Sequence, residues 1–507
     1  MRKLQKVGQP YHCRCEVVPA RLVRQSSPKE GRLGRISKGA TATMKRRFWV
    51  ISILMVGLWS GPASAQGLLG GLLTNVSQTL TSITSGQQQG VIVRTNKGLL
   101  GLQNICLFSG CSVTENLDGG QGQVFLVQPV QGLLPNLLAS VLRLVNGILD
   151  AEVDQGVQIP MSPNSPAIAG VAPSGLWDSY PVNFYGTTVW EGYSTQPATQ
   201  IIRVTQAQST FNVLGAGTIV TDIDTGVDPT HPALQGVLLP GYDFTRNQPG
   251  ASELNDPQPS NNGCSSCPTV NSYSVARPQS SGTNQSSAAL VDGDGGSDFG
   301  HGTMVVGIIH LTAPKAMILP LKAFQSDGTG NLSDILRAIY YAVQNHTNVI
   351  NMSFDLTSPS TELNNAINYA ASNNVILVAS AGNDGKEEVV YPAGLQNVMG
   401  VASTNDLNQR SSFSNYGNQV VWVAAPGEAI VTTYPFGGYS AGWGTSFSAP
   451  FVSGTAALLV NSQASTNQSR AAADIAHAVW VGPNMGNGRL DVVCAVQALT
   501  SSQGCGN

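Results

Sequence analysis

Residues 217–228 read GTIVTDIDTGVD. The first seven positions are largely apolar or β-branched, and the run then breaks into acids and a glycine. That is the pattern of a strand buried on both faces that ends in a turn. Four more runs of this kind follow: AMILPLK (316–322), NVINMS (348–353), VILVASA (375–381) and VVWVAA (420–425). Helical stretches at 333–345 and 360–373 lie between them. Alternating strands and helices predict an α/β fold with a mainly parallel central sheet covered on both sides, a three-layer α/β/α arrangement. In such sheets the sites form outside the carboxyl ends of the strands, so the chemistry is expected just after these runs.

Working outward toward the N-terminus, residues 157–199 are rich in Pro, Ser and aromatics and read as a junction. Before it, VIVRT (91–95), an apolar stretch through Leu107, a Gly-rich turn at 118–122, QVFLVQ and the helical LPNLLASVLRLVNGI describe strand, helix, strand, strand, helix, strand. This is a small α+β module within residues 66–156. From Met44 the chain reads MKRRFWVISILMVGLWSGPASA, three basic residues, a short apolar run and a small-residue end at Ala65. That is the layout of a secretory signal peptide over 44–65, too short in its apolar part for a stable membrane span. Residues 1–43 are basic and without periodicity, a start assigned too early or a real extension. The expected location is therefore secreted, periplasmic or extracellular.

Charge narrows the partners. The formal net charge of -3 hides an asymmetry: 13 of the 26 Lys and Arg lie in residues 1–47, so the remainder carries 13 bases against 27 acids. An acidic body without a basic cluster speaks against nucleic acid as a partner. Export also changes the reading of the cysteines. After Ala65 six remain, in the short-range couples Cys106 with Cys111, Cys264 with Cys267, and Cys494 with Cys505. Local disulfides are the preferred pairing among 15. CSSC at 264–267 has no second couple of that spacing to complete a zinc site, and no metal or other cofactor is expected.

Four positions after strand runs or at helix starts carry what acyl transfer needs. Asp224 closes the first strand, His301 sits in FGHGTMVVG, Asn383 in SAGND, and Ser446 in GWGTSFSAPFVSGTAALL. Singly, each reads better as a turn residue or a helix cap than as a catalytic group. Together they form a chemical unit. A serine hydroxyl needs an imidazole to take its proton, and the imidazole needs a carboxylate to hold its tautomer. A nearby amide donor stabilises the oxyanion that forms, worth about 3 kcal/mol.

These residues resemble the subtilisin-like serine endopeptidases, the subtilases. The resemblance rests on DIDTGVDPTHPAL (222–234), HGTMVVG (301–307), NVINMS (348–353), SAGN (380–383), YPAG (391–394) and GTSFSAP (444–450), and covers residues 200–497, leaving a tail at 498–507. It implies a subtilisin-like fold acting on protein or peptide substrates. Asp224 becomes the triad acid, His301 the base, Ser446 the nucleophile and Asn383 the oxyanion amide, with Ser353, Asp355 and Gly382 bordering the substrate. It also implies that the small module is a propeptide, an intramolecular inhibitor removed by self-processing. A binding protein on this scaffold and a relative that ligates or cyclises peptides are the alternatives.

The departures from the family pattern are specific. Phe354, Asp355 and Leu356 stand where Leu-Gly-Gly is usual, and Asp355 either faces bound substrate, favouring a basic side chain, or turns outward. The short connection at 308–316 and Ala233 both imply loss of the family's familiar calcium site. The polar insertion between Phe244 and His301 ends in DGDGGSD, where Asp292, Asp294 and Asp298 form either a calcium loop or, preferably, a solvated acidic turn.

Overall fold

The computed structural model describes residues 89–160, 173–257, 298–501 and 505. The small module contains β1 (Val91–Thr95), α1 (Gly98–Ser109), β2 (Cys111–Asn116), β3 (Val124–Pro129), α2 (Pro135–Leu142) and β4 (Ile148–Val153). Its antiparallel sheet runs β2-β3-β1-β4. Strand alternation then separates two faces. Val91 and Val93 turn toward Leu102, Leu138 and Leu142 of the module's own helices. Ile92 turns the other way, together with Leu117, Val124 and Leu126. A disulfide joins Cys106 to Cys111 across the end of α1.

A short strand β5 (Gly156–Gln158) leads away from the module. From residue 173 the chain is ordered rather than junction-like. The hairpin β6 (Pro181–Phe184) and β7 (Thr187–Trp190) and the helix α3 (Val204–Phe211) pack onto the larger unit. The reason is hydrogen bonding as much as burial. The Tyr193 hydroxyl donates to the Gly307 carbonyl at 2.6 Å, and the Gln196 amide exchanges hydrogen bonds with both backbone groups of Val431.

The large unit then adds β8 (Ile219–Asp224), β9 (Tyr242–Asp243), β10 (Gln248–Pro249), α4 (His301–Thr312), β11 (Met317–Lys322), β12 (Thr329–Asn331) and α5 (Leu332–Gln344). It continues with β13 (Val349–Met352), α6 (Thr361–Ser372), β14 (Ile376–Ser380), β15 (Met399–Thr404), β16 (Val423–Pro426) and the hairpin β17 (Ile430–Tyr434) and β18 (Gly438–Gly442). The helices α7 (Thr445–Ser462), α8 (Gln468–Ile475) and α9 (Val492–Ser501) complete it.

The main sheet has eight strands in the order β10-β9-β11-β8-β13-β14-β15-β16, parallel except at β10. Successive residues face opposite layers. Val349, Ile376 and Val378 join the cluster beneath α4 and α7, whereas Ile350, Leu377 and Ala379 join that beneath α5 and α6. The five expected strands are present, although the last starts only at Val423. β15 was not expected, since MGVAST looks too small and polar for a buried strand. Gly400 explains the composition: a side chain there would meet the Val420 carbonyl oxygen at 1.8 Å. The sequence Cys494 to Cys505 closes as a second disulfide. The couple Cys264 and Cys267 lies outside the described residues. Among the described residues no helix is long and apolar enough to cross a membrane.

Candidate active site

Asp224 ends β8, between β11 and β13, and His301 opens α4. The His301 Nδ1 stands 2.8 and 2.9 Å from the two Asp224 carboxylate oxygens, and both side chains are buried. A proton on Nδ1 satisfies this contact with the carboxylate, so that tautomer of the neutral imidazole is the favoured one. The approach of the two elements depends on Gly302, where a side chain would meet the Gly226 carbonyl oxygen at 2.0 Å.

Glu253 tightens the same junction. Its carboxylate accepts from the Gly300 N–H at 2.9 Å, the Thr303 N–H at 3.2 Å and the Thr225 hydroxyl at 3.0 Å, and also from the Thr303 hydroxyl. The Thr225 hydroxyl in turn receives the Gly302 N–H at 3.0 Å, and the Thr225 N–H donates to Asp224 at 2.6 Å. An acid at a helix start satisfies orphan amides and complements the helix dipole. Burial nevertheless pushes its carboxyl up to about 7, against the hydrogen bond from Thr303 and the charge of Lys322. Lys322 is itself buried, with its ammonium 2.7 Å from Asp256 and donating to the carbonyls of Thr225 and Phe324. The sequence offered no spacing signal for Glu253 or Asp256, which lie in a stretch expected to be a polar insertion. The first part of that stretch is built into the junction, with Glu253 and Asp256 both buried.

Ser446 is the second residue of α7 and is buried. Pro450 lies four residues on, and a proline has no N–H to return to the Ser446 carbonyl. The Ser353 hydroxyl fills that place, donating to the Ser446 carbonyl at 3.0 Å. In the other direction the Ser446 hydroxyl donates to the Ser353 carbonyl at 3.4 Å. Beneath this pair Asn351 donates to Asp222 and to the Ser353 hydroxyl, both at 3.0 Å, and accepts from Ser453 at 2.8 Å. Burial first, and then the neighbouring Asp224, hold the Asp222 carboxyl well above its usual range.

Asn383 follows β14. Its side-chain oxygen accepts from the Thr445 N–H at 2.9 Å and hydroxyl at 2.8 Å, which fixes the amide so that its nitrogen serves as a donor elsewhere. That nitrogen donates to the Pro160 carbonyl at 2.9 Å. Gly382 sits beside it, its N–H 3.2 Å from the Thr445 hydroxyl. Thr445 went unnoticed in the sequence because its neighbour Ser446 carried the chemical argument.

Two acids differ from expectation. Asp298 is only 4% exposed and therefore not a solvated turn residue. Burial raises its carboxyl to about 6, with His301 opposing and Asp224 and Asp327 assisting. Asp292 and Asp294 lie outside the described residues. Asp355 does not turn outward: one carboxylate oxygen is buried, 2.9 Å from where a side chain on Gly382 would stand. Burial, then Asp384 and Glu388, raises that carboxyl to about 7.

Residues 215–506, more than half of the chain, match the model of the Subtilase family. A thermophilic serine proteinase of Bacillus sp. (strain AK1) is 35% identical over 246 residues, 48% of this chain and 53% of that protein. Thermitase of Thermoactinomyces vulgaris is 34% identical over 258 residues, 51% of this chain and 80% of that protein. The minor extracellular protease Epr of Bacillus subtilis (strain 168) is 40% identical over 172 residues, 32% of this chain and 26% of that protein. The chain thus spans about half of the first relative and a quarter of the third. It belongs to the subtilase family, with the family's three-layer α/β/α fold.

Proposed function

We propose that this subtilase family member is a serine-type endopeptidase that hydrolyses peptide bonds through Asp224, His301 and Ser446. Asn383 donates to the oxyanion, and Ser353, Asp355 and Gly382 border the bound peptide. The observation that carries this reading is the Asn383 amide, oriented by Thr445 and already holding a peptide carbonyl at 2.9 Å beside the helix that carries Ser446. His301 Nε2 takes the proton of Ser446 as its oxygen adds to the substrate carbonyl, and Asp224 stabilises the resulting imidazolium. His301 then gives the proton to the leaving amine, and water releases the acyl group.

The enzyme is made as a self-inhibited precursor, exported by the segment 44–65, with the α+β module as its propeptide. Names such as that of Epr, which calls that relative extracellular, support export. The test is mass analysis of products from a model peptide given to the processed protein, with Ser446→Ala as control. Hydrolysed fragments at a rate at least about 10^4-fold above the variant are expected. Ligated or unchanged peptide overturns the reading.

A further inference from the structure

Resting on that reading, we infer that Glu253 is a positioning residue for the reaction: its carboxylate clamps the turn after Asp224 to the first turn of α4, and so sets the approach of Asp224 to His301. The donors that reach it come from both sides of that approach. Its Oε2 accepts from the hydroxyl of Thr225, which follows Asp224, and from the N–H of Gly300, which precedes His301. Its Oε1 accepts from the N–H and the hydroxyl of Thr303, on the far side of His301. A shift of the end of β8 against α4 therefore costs a hydrogen bond to this one carboxylate.

The two hydroxyls are committed as donors. Thr225 Oγ1 already accepts the Gly302 N–H at 3.0 Å, and Thr303 Oγ1 the Asp228 N–H at 2.7 Å, which directs each hydroxyl proton at Glu253. A carboxylate offers about four acceptor sites, and these donors fill them. Protonating Glu253, or replacing it by an amide, sets donor against donor and gives up at least one bond. The backbone holds the clamp in place from behind. The Val227 N–H donates to the Ala251 carbonyl at 2.8 Å and the Glu253 N–H to the Val227 carbonyl at 3.2 Å. Gly226 permits this contact, since a side chain there would meet the Ala251 carbonyl oxygen at 2.6 Å.

The charged and titratable groups around Glu253 are Lys322 on β11, paired with Asp256, Asp222 on β8 with Asp224 and His301 beside it, and Tyr434 on β17. Burial outweighs the Thr303 hydrogen bond and the Lys322 charge, and the carboxyl stands at about 7. Glu253 thus gains its charge near the range in which imidazoles titrate. Two groups, the base and its clamp, then have to lose a proton before the site works.

The test uses the full chain as wild type, Glu253→Gln, Thr225→Val, Thr225→Ser and Ser446→Ala, each checked for folding by circular dichroism. One peptide substrate is assayed from about pH 5 to 9, with active sites counted by fluorophosphonate titration. In Glu253→Gln, kcat should fall about 10- to 100-fold with KM within about twofold, the effect of a misplaced reacting group. The acid limb of kcat/KM, governed by two protons in the wild type, should be governed by one in Glu253→Gln. Thr225→Val, which keeps the shape and loses the hydroxyl, should also lose turnover, and Thr225→Ser should recover most of it. If Glu253→Gln does not fold, the Thr225 pair decides. Wild-type kcat with an unchanged acid limb in Glu253→Gln, or equal losses in both Thr225 variants, overturns the positioning role and leaves the endopeptidase reading standing. A wild type that is neither labelled nor more active than Ser446→Ala overturns both.

Discussion

The two sheets of this protein are covered in different ways. The main sheet is flanked on both faces by helices of its own unit, and β8, which carries Asp224, is buried between two parallel neighbours. The module's sheet has its own helices on one face only. Its other face, with Ile92, Leu117, Val124 and Leu126, shares a cluster with α5 and α6 of the large unit. Around that apolar contact lies a ring of ionic and capping interactions. Arg94 makes a bidentate pair with Glu362, Glu152 accepts from Ser360 and from the Thr361 and Glu362 N–H groups at the start of α6, and Asp154 accepts from the Ser333 N–H and hydroxyl at the start of α5. One sheet is completed within its unit and the other by a partner. The side chains proposed for the chemistry stand at the ends of the first or on the helices that cover it, and the part proposed to be removable is built on the second.

The sharpest break on the permanent side is Asn383→Ala. It removes the amide proposed to donate to the oxyanion mainly in the transition state, so turnover should fall about 100- to 1000-fold with KM nearly unchanged. Steady-state kinetics on one peptide substrate check this, and an equal loss in KM would move Asn383 to ground-state binding.

On the removable side, Arg94→Ala strands the Glu362 carboxylate, which is 1% exposed, with Asn365 as its remaining side-chain donor. Because Arg94 itself is partly solvated, the cost should be about 1–3 kcal/mol, or roughly 5- to 150-fold faster release of the cleaved module. Size-exclusion of the cleaved complex after timed incubation reads it. Release at the wild-type rate would assign the docking to the apolar face alone.

Docking should also weaken as pH rises. Burial lifts the Asp154 carboxyl to about 6 and raises that of Glu152, in each case against hydrogen bonds that lower it. A docked carboxyl that holds its proton more tightly than the free one stabilises the complex at low pH, and this is lost as pH climbs from about 4 to 6. Each group contributes at most about 1.4 kcal/mol per pH unit in that window. Asp154→Asn should flatten the profile of module dissociation measured between pH 4 and 7.

The smallest effect concerns Asp355 at the groove. With its carboxyl near 7, its charge grows between pH 6 and 8, so a preference for Lys or Arg in bound peptides should rise over that range. A partly exposed pair is worth about 1 kcal/mol or less, a change of under about tenfold. Peptide-library profiles at the two pH values, compared with Asp355→Asn, decide it: an unchanged profile removes Asp355 from specificity.

Much of this arrangement was legible because it is local. A continuous apolar run forces a buried strand, and His301, Asn383 and Ser446 each stand at the end or start of an element that the run lengths already mark. The module's alternation of strands and helices was readable for the same reason. Contacts between distant segments left no such trace. Nothing in ASELNDP distinguishes Glu253 from a solvated loop acid until β8 and α4 converge on it. MGVAST reads as a strand only once the backbone of residue 420 is seen to press on Gly400.

The sequence by itself determined the α/β/α class, the family, and the four side chains proposed for the chemistry, because periodicity and motif order are properties of neighbours in the chain. Only the tertiary structure decided that residues 156–160 lie between β12 and Asp355, that the Pro160 carbonyl meets Asn383, and that Ser353 occupies the place Pro450 leaves open at Ser446. The physical reason is that backbone hydrogen-bonding groups are the same at every residue. Which of them find each other between distant segments of the chain is set by packing and register.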